Sequence, residues 1–118
     1  MTDSPLIMKS KTFALEVIQA CKGLRVAKCE SALINQFLRS GTSIGANIRE
    51  AKYAHSKADF VAKLQISLKE CYETEYWIEI AQKANIISEE AAKCVLHDCG
   101  SIRRMLIVSI NTAKENEK

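Results

Sequence analysis

The residues best suited to metal chemistry are four closely spaced glutamates: Glu70, Glu73, Glu75 and Glu79. Carboxylate-bridged metal bundles combine such glutamates with a Glu-x-x-His pair on other helices. This chain has two histidines, but the residue three positions before His97 is Cys94, and the residue three positions before His55 is Lys52. Neither histidine completes the motif, so the sequence predicts no metal site and no cofactor.

No other residue pattern points to catalysis. The sequence offers no nucleophile–base pair and no glycine-rich phosphate loop after a strand. Its five cysteines are odd in number and include no Cys-x-x-Cys pair, which favours reduced thiols that fill the core. They are Cys21, Cys29, Cys71, Cys94 and Cys99. We therefore expect a protein that is not an enzyme.

A stretch that reads as mid-helix, Arg39–Glu50, is rich in small and polar residues. Gly41 and Gly45 lie four apart on one face, and glycine costs about 1 kcal/mol against alanine inside a helix. We expect both to admit a neighbouring helix at close range, because two missing side chains let the backbones approach. A second stripe on this helix is polar and comprises Ser40, Ser43, Asn47 and Glu50. If it faces inward, each group needs a hydrogen-bond partner.

Two interpretations of these polar residues stay open. In the first, the stripe and the glutamates are solvated helix faces. In the second, Glu70 and Glu73 reach Arg39 or the Ser43 and Asn47 part of the stripe, as an internal network of ion pairs and hydrogen bonds. Such a network would fix helix register more surely than it would add stability.

Positive charge is concentrated in the first half of the chain. The net charge is +3, and residues 1–28 alone hold five Lys and Arg against two acids. This mild positive excess is a weak indication of a polyanionic partner such as RNA. The candidate phosphate contacts are Lys9, Lys11, Lys22, Arg25 and Lys28. A solvated basic face without a ligand is the alternative.

Apolar residues at helical spacing predict four helices, at about residues 10–25, 31–54, 57–84 and 88–114. The predicted N-caps are Ser10, Ser31, Ser56 and Ser88. Ser4 followed by Pro5 is an alternative start for the first helix. Short connections between amphipathic helices predict an all-α fold, a single antiparallel up-down-up-down four-helix bundle over residues 1–118.

The predicted helices carry more large apolar residues than one narrow core requires, among them Trp77, Ile107 and Val108. Such an excess is typical of a homo-oligomer, in which a second copy covers it. No apolar run approaches the ~18 residues that span a bilayer. The N-terminus has no charged start followed by a long apolar core. We expect a cytoplasmic protein with no membrane partner.

Several blocks of the sequence resemble the 23S rRNA-intervening sequence protein family, bacterial proteins first noted as open reading frames in intervening sequences of 23S ribosomal RNA genes. Arg39–Ala51 resembles the family signature, and Ser56–Phe60 and Lys69–Trp77 resemble a second block. Together with the Lys9-Ser10 start, the similarity covers nearly the whole chain.

The resemblance implies a four-helix bundle that commonly forms a ring-shaped homopentamer. It also implies kinship with the accessory protein of diversity-generating retroelements, a basic pentamer that binds nucleic acid and a reverse transcriptase. It implies no catalytic residue, since the family motif is tied to no known chemistry. This chain departs from that accessory protein in being only mildly basic, with an acidic third helix. Two hypotheses result: an oligomer that binds RNA or another nucleic acid through its basic face, or a structural or adaptor oligomer that docks a protein partner.

Overall fold

The computed structural model describes residues 4–116, which form four α-helices and no strand. Helix α1 spans Pro5–Val26, α2 Ser31–Lys52, α3 Lys57–Lys83 and α4 Glu89–Glu115. Each helix packs antiparallel against the next, and α4 returns to α1 in a looser contact. Helices α1 and α3 lie on one diagonal of the bundle, α2 and α4 on the other. The all-α prediction is confirmed, and the described residues measure 50 × 23 × 23 Å.

Helix α1 begins at Pro5 and not near residue 10, so the predicted cap at Ser10 is wrong. The alternative start applies: the backbone N–H of Ile7 donates to Ser4 Oγ at 3.2 Å, and Pro5 occupies the first turn. Ser10 is instead buried inside the helix, where its hydroxyl donates to the Ile7 carbonyl at 3.0 Å. The apolar residues Leu6 and Ile7 are buried as well, which extends the core by one further turn.

The other helix termini follow their sequence signals more closely. Ser56 and Ser88 accept capping hydrogen bonds from the N–H groups of residues 59 and 91, each at 3.1 Å. Ser31 is not a cap, because α2 starts after Glu30, whose side chain makes no capping bond. Lys28 and Asn85 follow the ends of α1 and α3 with φ of 62° and 60°. This left-handed conformation terminates helices and suits asparagine better than lysine.

All four helices contribute large side chains to one core. The fully buried aromatic and branched aliphatic residues are Phe13, Val17, Ile34, Ile44, Leu64, Ile78, Ile102 and Leu106. Three of the five free cysteines are also buried: Cys21, Cys71 and Cys99. Cys29 is half-buried, but Cys94 is exposed. The expectation that the thiols fill the core is therefore wrong for Cys94.

Buried side chains donate to a backbone carbonyl of an adjacent helix at three of the four helix interfaces. These bonds run from Cys21 to Ile34 at 3.9 Å, from Ser67 to Ile44 at 2.8 Å and from Cys99 to Cys71 at 3.5 Å. They join α1 to α2, α2 to α3 and α3 to α4. Within the described residues no such bond joins α1 to α4. The register of consecutive helices is therefore fixed more firmly than the closure between α1 and α4.

Candidate functional site

The two glycines of α2 lie at the contact with α1. A Cβ on Gly41 would lie 2.8 and 2.9 Å from the two methyl carbons of Val17, which is fully buried. A Cβ on Gly45 would lie 3.3 Å from the carbonyl oxygen and the hydroxyl of Ser10. Both distances are shorter than ordinary van der Waals contact, so a Cβ at either position would require the neighbouring atoms of α1 to shift. This close contact is the role that their spacing predicts.

The polar stripe beside these glycines makes hydrogen bonds within its own helix. Ser40 is buried and donates to the Phe37 carbonyl at 3.3 Å. Ser43 Oγ donates to the Arg39 carbonyl at 2.7 Å, and Asn47 Nδ2 to the Ser43 carbonyl at 2.9 Å. The fourth member, Glu50, is exposed, and its carboxylate lies 3.2 Å from Lys63 Nζ on α3. The structure does not join Ser43 and Asn47 to the glutamates of α3.

Arg39 does reach the glutamates of α3. Its Nη1 lies 3.2 Å from Glu70 Oε2, its Nη2 contacts Glu73 Oε2, and the same Glu73 oxygen accepts a hydrogen bond from Trp77 Nε1 at 3.0 Å. The bonds from Trp77 and Arg39 hold the pKa of Glu73 below its ordinary value. The Arg39 side chain is 48% exposed. The ion pair expected from the sequence is thus present, but it lies at the surface and not inside the bundle.

A second arginine pairs with α3 from the opposite side. Arg103 Nε and Nη2 donate to the two carboxylate oxygens of Glu75, at 3.0 and 3.4 Å, and its guanidinium lies 5.8 Å from the ring centre of Tyr72. The hydrogen bond to Glu75 raises the pKa of Arg103. The sequence does not predict this pair. Gly100 is a weak signal of it: a Cβ there would lie 3.3 Å from Arg103 Nη2 and 3.3 Å from Arg104 Nη1, so this glycine leaves room for arginine side chains of its own helix.

The five basic residues proposed from the sequence are all exposed but do not form one cluster. Lys9 borders the groove between α1 and α4, whereas Lys11 borders the groove between α1 and α2. Lys22 and Arg25 lie near the far end of α1, and Lys28 lies in the turn that follows. The helical fold thus separates Lys9 from Lys11, and both of them from the other three.

Positive charge is instead concentrated at one end of the bundle. If each helix is divided at its midpoint, one half contains residues 4–15, 42–70 and 103–116, and the other contains residues 16–41 and 71–102. The first half holds ten Lys and Arg against four acids, a net charge of +6. The second holds six against eight, a net charge of −2. We call the first the basic half. This segregation cannot be read from the chain in order, because each half is assembled from separate segments.

A surface groove lies between α1 and α2 within the basic half. Its volume is about 430 Å³. Lys11 and Arg49 border it, and small side chains line it, including Ala14, Thr42 and Ala46. Ile7 and the acidic Glu50 also line the groove, so its charge is mixed.

Three residues bring potential metal ligands together at the α1–α4 contact. One carboxylate oxygen each from Glu16 and Asp98 and the Sγ of Cys94 lie within 4.8 Å of one another. Cys94 is exposed and the two acids are half-buried. Acidic groups often gather without an ion, and no further feature of the described residues marks this cluster as a metal site. We therefore describe Glu16 and Asp98 as a carboxyl pair.

Comparison with known proteins identifies the family of this chain. The family model described as 23S rRNA-intervening sequence protein matches residues 2–108. The chain belongs to this family. The match contains every block that carries the resemblance noted above.

A solved structure supports the fold. The 1.70 Å crystal structure of a protein from the S23 ribosomal protein family of Bacteroides thetaiotaomicron is 44% identical to this family member. The alignment covers 89% of this chain and 97% of that chain, with a TM-score of 0.87. That protein is described as having unknown function, so it supports the fold and gives no activity. No curated protein matches the sequence significantly.

The helices also bear on the membrane prediction. Within residues 4–116, none combines the length and the apolar character that crossing a bilayer requires.

Proposed function

We propose that this family member is a non-enzymatic cytoplasmic oligomer that binds nucleic acid, RNA in the first place, through the basic half of the bundle. The observation that carries the proposal is the segregation of charge, +6 against −2, between the two halves. Binding of nucleic acid strengthens with the number of phosphates that Lys and Arg neutralise. A surface that gathers its cations at one end is therefore better suited to RNA than the overall charge of +3 indicates.

The cations of the basic half come from every helix. Lys11, Lys57, Arg104 and Lys114 are exposed members from α1, α3 and α4. The bundle is only 23 Å wide, so one copy can contact few phosphates. Several copies arranged with their basic halves on one side would multiply these contacts. Nucleic-acid binding is therefore expected to depend on self-assembly.

Exposed apolar side chains support assembly through unlike surfaces. Met8 and Leu15 are exposed on α1, and Ile66, Tyr72 and Tyr76 are exposed on α3. Because α1 and α3 are diagonal in the bundle, these two groups point away from each other. One copy's α1 face would then meet the next copy's α3 face. A head-to-tail contact of this kind closes into a ring when the rotation permits, and the homopentamer implied by the family resemblance is such a ring.

Two triple variants with the same change in charge test where RNA binds. The first replaces Lys11, Lys57 and Lys114 by glutamine in the basic half, and the second replaces Lys22, Arg25 and Lys28 at the other end. Fluorescence anisotropy with a labelled RNA hairpin, measured over a range of salt concentrations, gives the affinity. We expect the first triple to weaken binding at least about tenfold and to reduce the salt slope by roughly 0.7–0.9 for each phosphate that is no longer neutralised. The second triple should change binding little.

Two results would contradict this proposal. If the wild-type protein does not bind RNA even at low salt, nucleic acid is not its ligand, and an intact oligomer would then favour the adaptor hypothesis. If both triples weaken binding equally, the site does not lie in the basic half.

Assembly is tested separately by multi-angle light scattering. The wild-type protein should have a mass several times the 13.2 kDa of one chain. Leu15→Glu or Ile66→Glu should lower that mass, whereas Gln19→Glu, an exposed polar control on α1, should not. A wild-type mass of one chain at micromolar concentration would refute the oligomer.

A further inference from the structure

The contact between α1 and α4 differs from the other three helix contacts in what faces across it. It is the loosest contact in the bundle, and within the described residues no buried side-chain bond to a backbone carbonyl crosses it. A small groove of about 130 Å³ follows it. The groove is lined by Lys9, Thr12, Phe13, Glu16, Asp98 and Ile102.

Two acidic side chains meet in this groove from opposite helices. Glu16 of α1 and Asp98 of α4 place carboxylate oxygens within 4.8 Å of each other, beside the Sγ of Cys94. The other titratable groups here are Lys9 on α1 and His97 on α4, whose Nδ1 lies 3.3 Å from Asp98 Oδ1. Within the described residues, α2 and α3 contribute no side chain to the groove.

We propose that this carboxyl pair makes the closure of the bundle pH-sensitive: with one shared proton it bridges α1 and α4, and without that proton it pushes them apart. Two carboxyl groups that share a site cannot both ionise freely, so one of them retains its proton to a higher pH. A protonated carboxyl donates to the other and links the helices. When both are ionised, the repulsion acts on the bundle contact that has the least packing to oppose it.

The environment of Glu16 is consistent with this behaviour. Burial, a hydrogen bond with Asp98 and the charge of Asp98 together raise the pKa of Glu16 to about 7. A glutamate in an unfolded chain titrates near 4.3. Because the pKa is higher in the folded state, folding takes up a proton between these values. The closed bundle therefore loses stability as pH rises from the ordinary glutamate range through about 7, which is the opposite of the usual carboxylate behaviour.

Carbon-detected NMR of the side-chain carboxyl groups tests the pair directly. In the wild-type protein Glu16 should titrate near 7, while the exposed Glu79 in the same sample serves as the internal reference. In Asp98→Asn the Glu16 titration should move down towards the ordinary range. If Glu16 titrates in that range in the wild-type protein, the proposal is wrong.

Hydrogen exchange tests the consequence for the helices. Between pH 6 and pH 8 the protection factors of α1 and α4 amides along the groove should fall by roughly tenfold, because Glu16 loses its proton in the closed bundle over this range and is already ionised when the groove is open. Glu16→Gln should abolish this fall, while Glu79→Gln, a matched change in charge, should retain it. Histidines also change charge in this range, so His97→Gln must retain it too. An equal fall in the wild-type protein and in Glu16→Gln would overturn the proposal.

Discussion

Helix α1 meets its two neighbours in opposite ways. On one side it packs against α2 so closely that Gly41 and Gly45 leave no room for a Cβ at ordinary contact distance. On the other side it faces α4 across a groove that contains the Glu16 and Asp98 carboxyl pair. One helix thus takes part both in a close contact that depends on glycines and in the loosest contact of the bundle.

This difference indicates that the helix contacts have different structural roles. Three consecutive contacts, from α1 to α4 through α2 and α3, combine close packing with buried hydrogen bonds. They hold the helices in register without help from the fourth contact. The α1–α4 contact is then able to carry groups that lower stability, such as two acids side by side. Strained or ill-matched groups persist only where the surrounding structure holds them in place.

We expect the largest effect on stability from Gly41→Ala, and we compare it with Gly23→Ala. In Gly41→Ala the new methyl group would lie 2.8 Å from a methyl of Val17, a stiff and fully buried side chain. We expect a loss of about 1–3 kcal/mol, typical of overpacking. Gly23 lies within α1 with nothing within 4 Å of its added Cβ, so Gly23→Ala should gain up to about 1 kcal/mol from helix propensity.

Urea unfolding of both variants measures this contrast. The midpoint should fall for Gly41→Ala and rise for Gly23→Ala, with the slope unchanged. A stable Gly41→Ala protein would mean that α1 and α2 separate readily, and the contrast between the two sides of α1 would disappear.

The sequence predicts much of the contact between α1 and α2 and little of the contact between α1 and α4. Gly41 and Gly45 stand out because glycine costs stability inside a helix, and that cost indicates close packing. Glu16 carries no comparable signal, since an acid on an amphipathic helix is ordinarily solvated. Its significance depends on Asp98, which lies on another helix, and no periodicity within α1 indicates which residue of α4 faces it.

The same physical limit accounts for the other differences between prediction and structure. Arg39 and Glu73 could be paired from the sequence as one of two interpretations, because consecutive helices of an up-down bundle are neighbours. Glu75 and Arg103 could not, since the stagger of α4 against α3 depends on the packing of Cys99 against Cys71. The basic half is not predicted for a similar reason: its cations come from separate parts of the chain. By contrast, the oligomer remains a prediction.

A smaller effect is expected at the contact between α2 and α3. Ser67 is fully buried, and its hydroxyl donates to the Ile44 carbonyl at 2.8 Å. Ser67→Ala should cost about 1 kcal/mol, the net worth of one such bond, because the carbonyl retains its helical partner. Ser31→Ala, at an exposed position where the side chain makes no cap, is the control. Equal unfolding midpoints for the two variants would show that this bond contributes no stability.

The opposite-charge pair on α2 and α3 should respond to pH in the opposite direction to the carboxyl pair. The pKa of Glu73 is lowered by its bonds to Trp77 and Arg39. Its contribution is therefore present above the ordinary glutamate pKa and is lost as pH falls through the lowered value. Glu73→Gln should cost at most about 1 kcal/mol at neutral pH, because Arg39 is half exposed, and less as pH falls through the lowered pKa of Glu73. The unfolding midpoints of Glu73→Gln and Glu16→Gln, each against wild type from pH 3 to 8, measure both signs. If the two differences change in the same direction, the contrast between these contacts is wrong.

The smallest effect is expected in the reactivity of cysteines, which compares the α2 side of α1 with its α4 side. Cys21 is fully buried on the α2 side, and burial raises the pKa of its thiol. Cys94 is exposed beside Glu16 on the α4 side. Because the thiolate is the reactive form and needs access, iodoacetamide should modify Cys94 first and the half-buried Cys29 next. Cys21, Cys71 and Cys99 should react only when the protein unfolds. Mass spectrometry of peptides after timed labelling gives the order, with Cys94→Ser as the control that removes the first modification. Early labelling of Cys21 would show that α1 opens from α2 as readily as from α4, which the close approach at Gly41 does not allow.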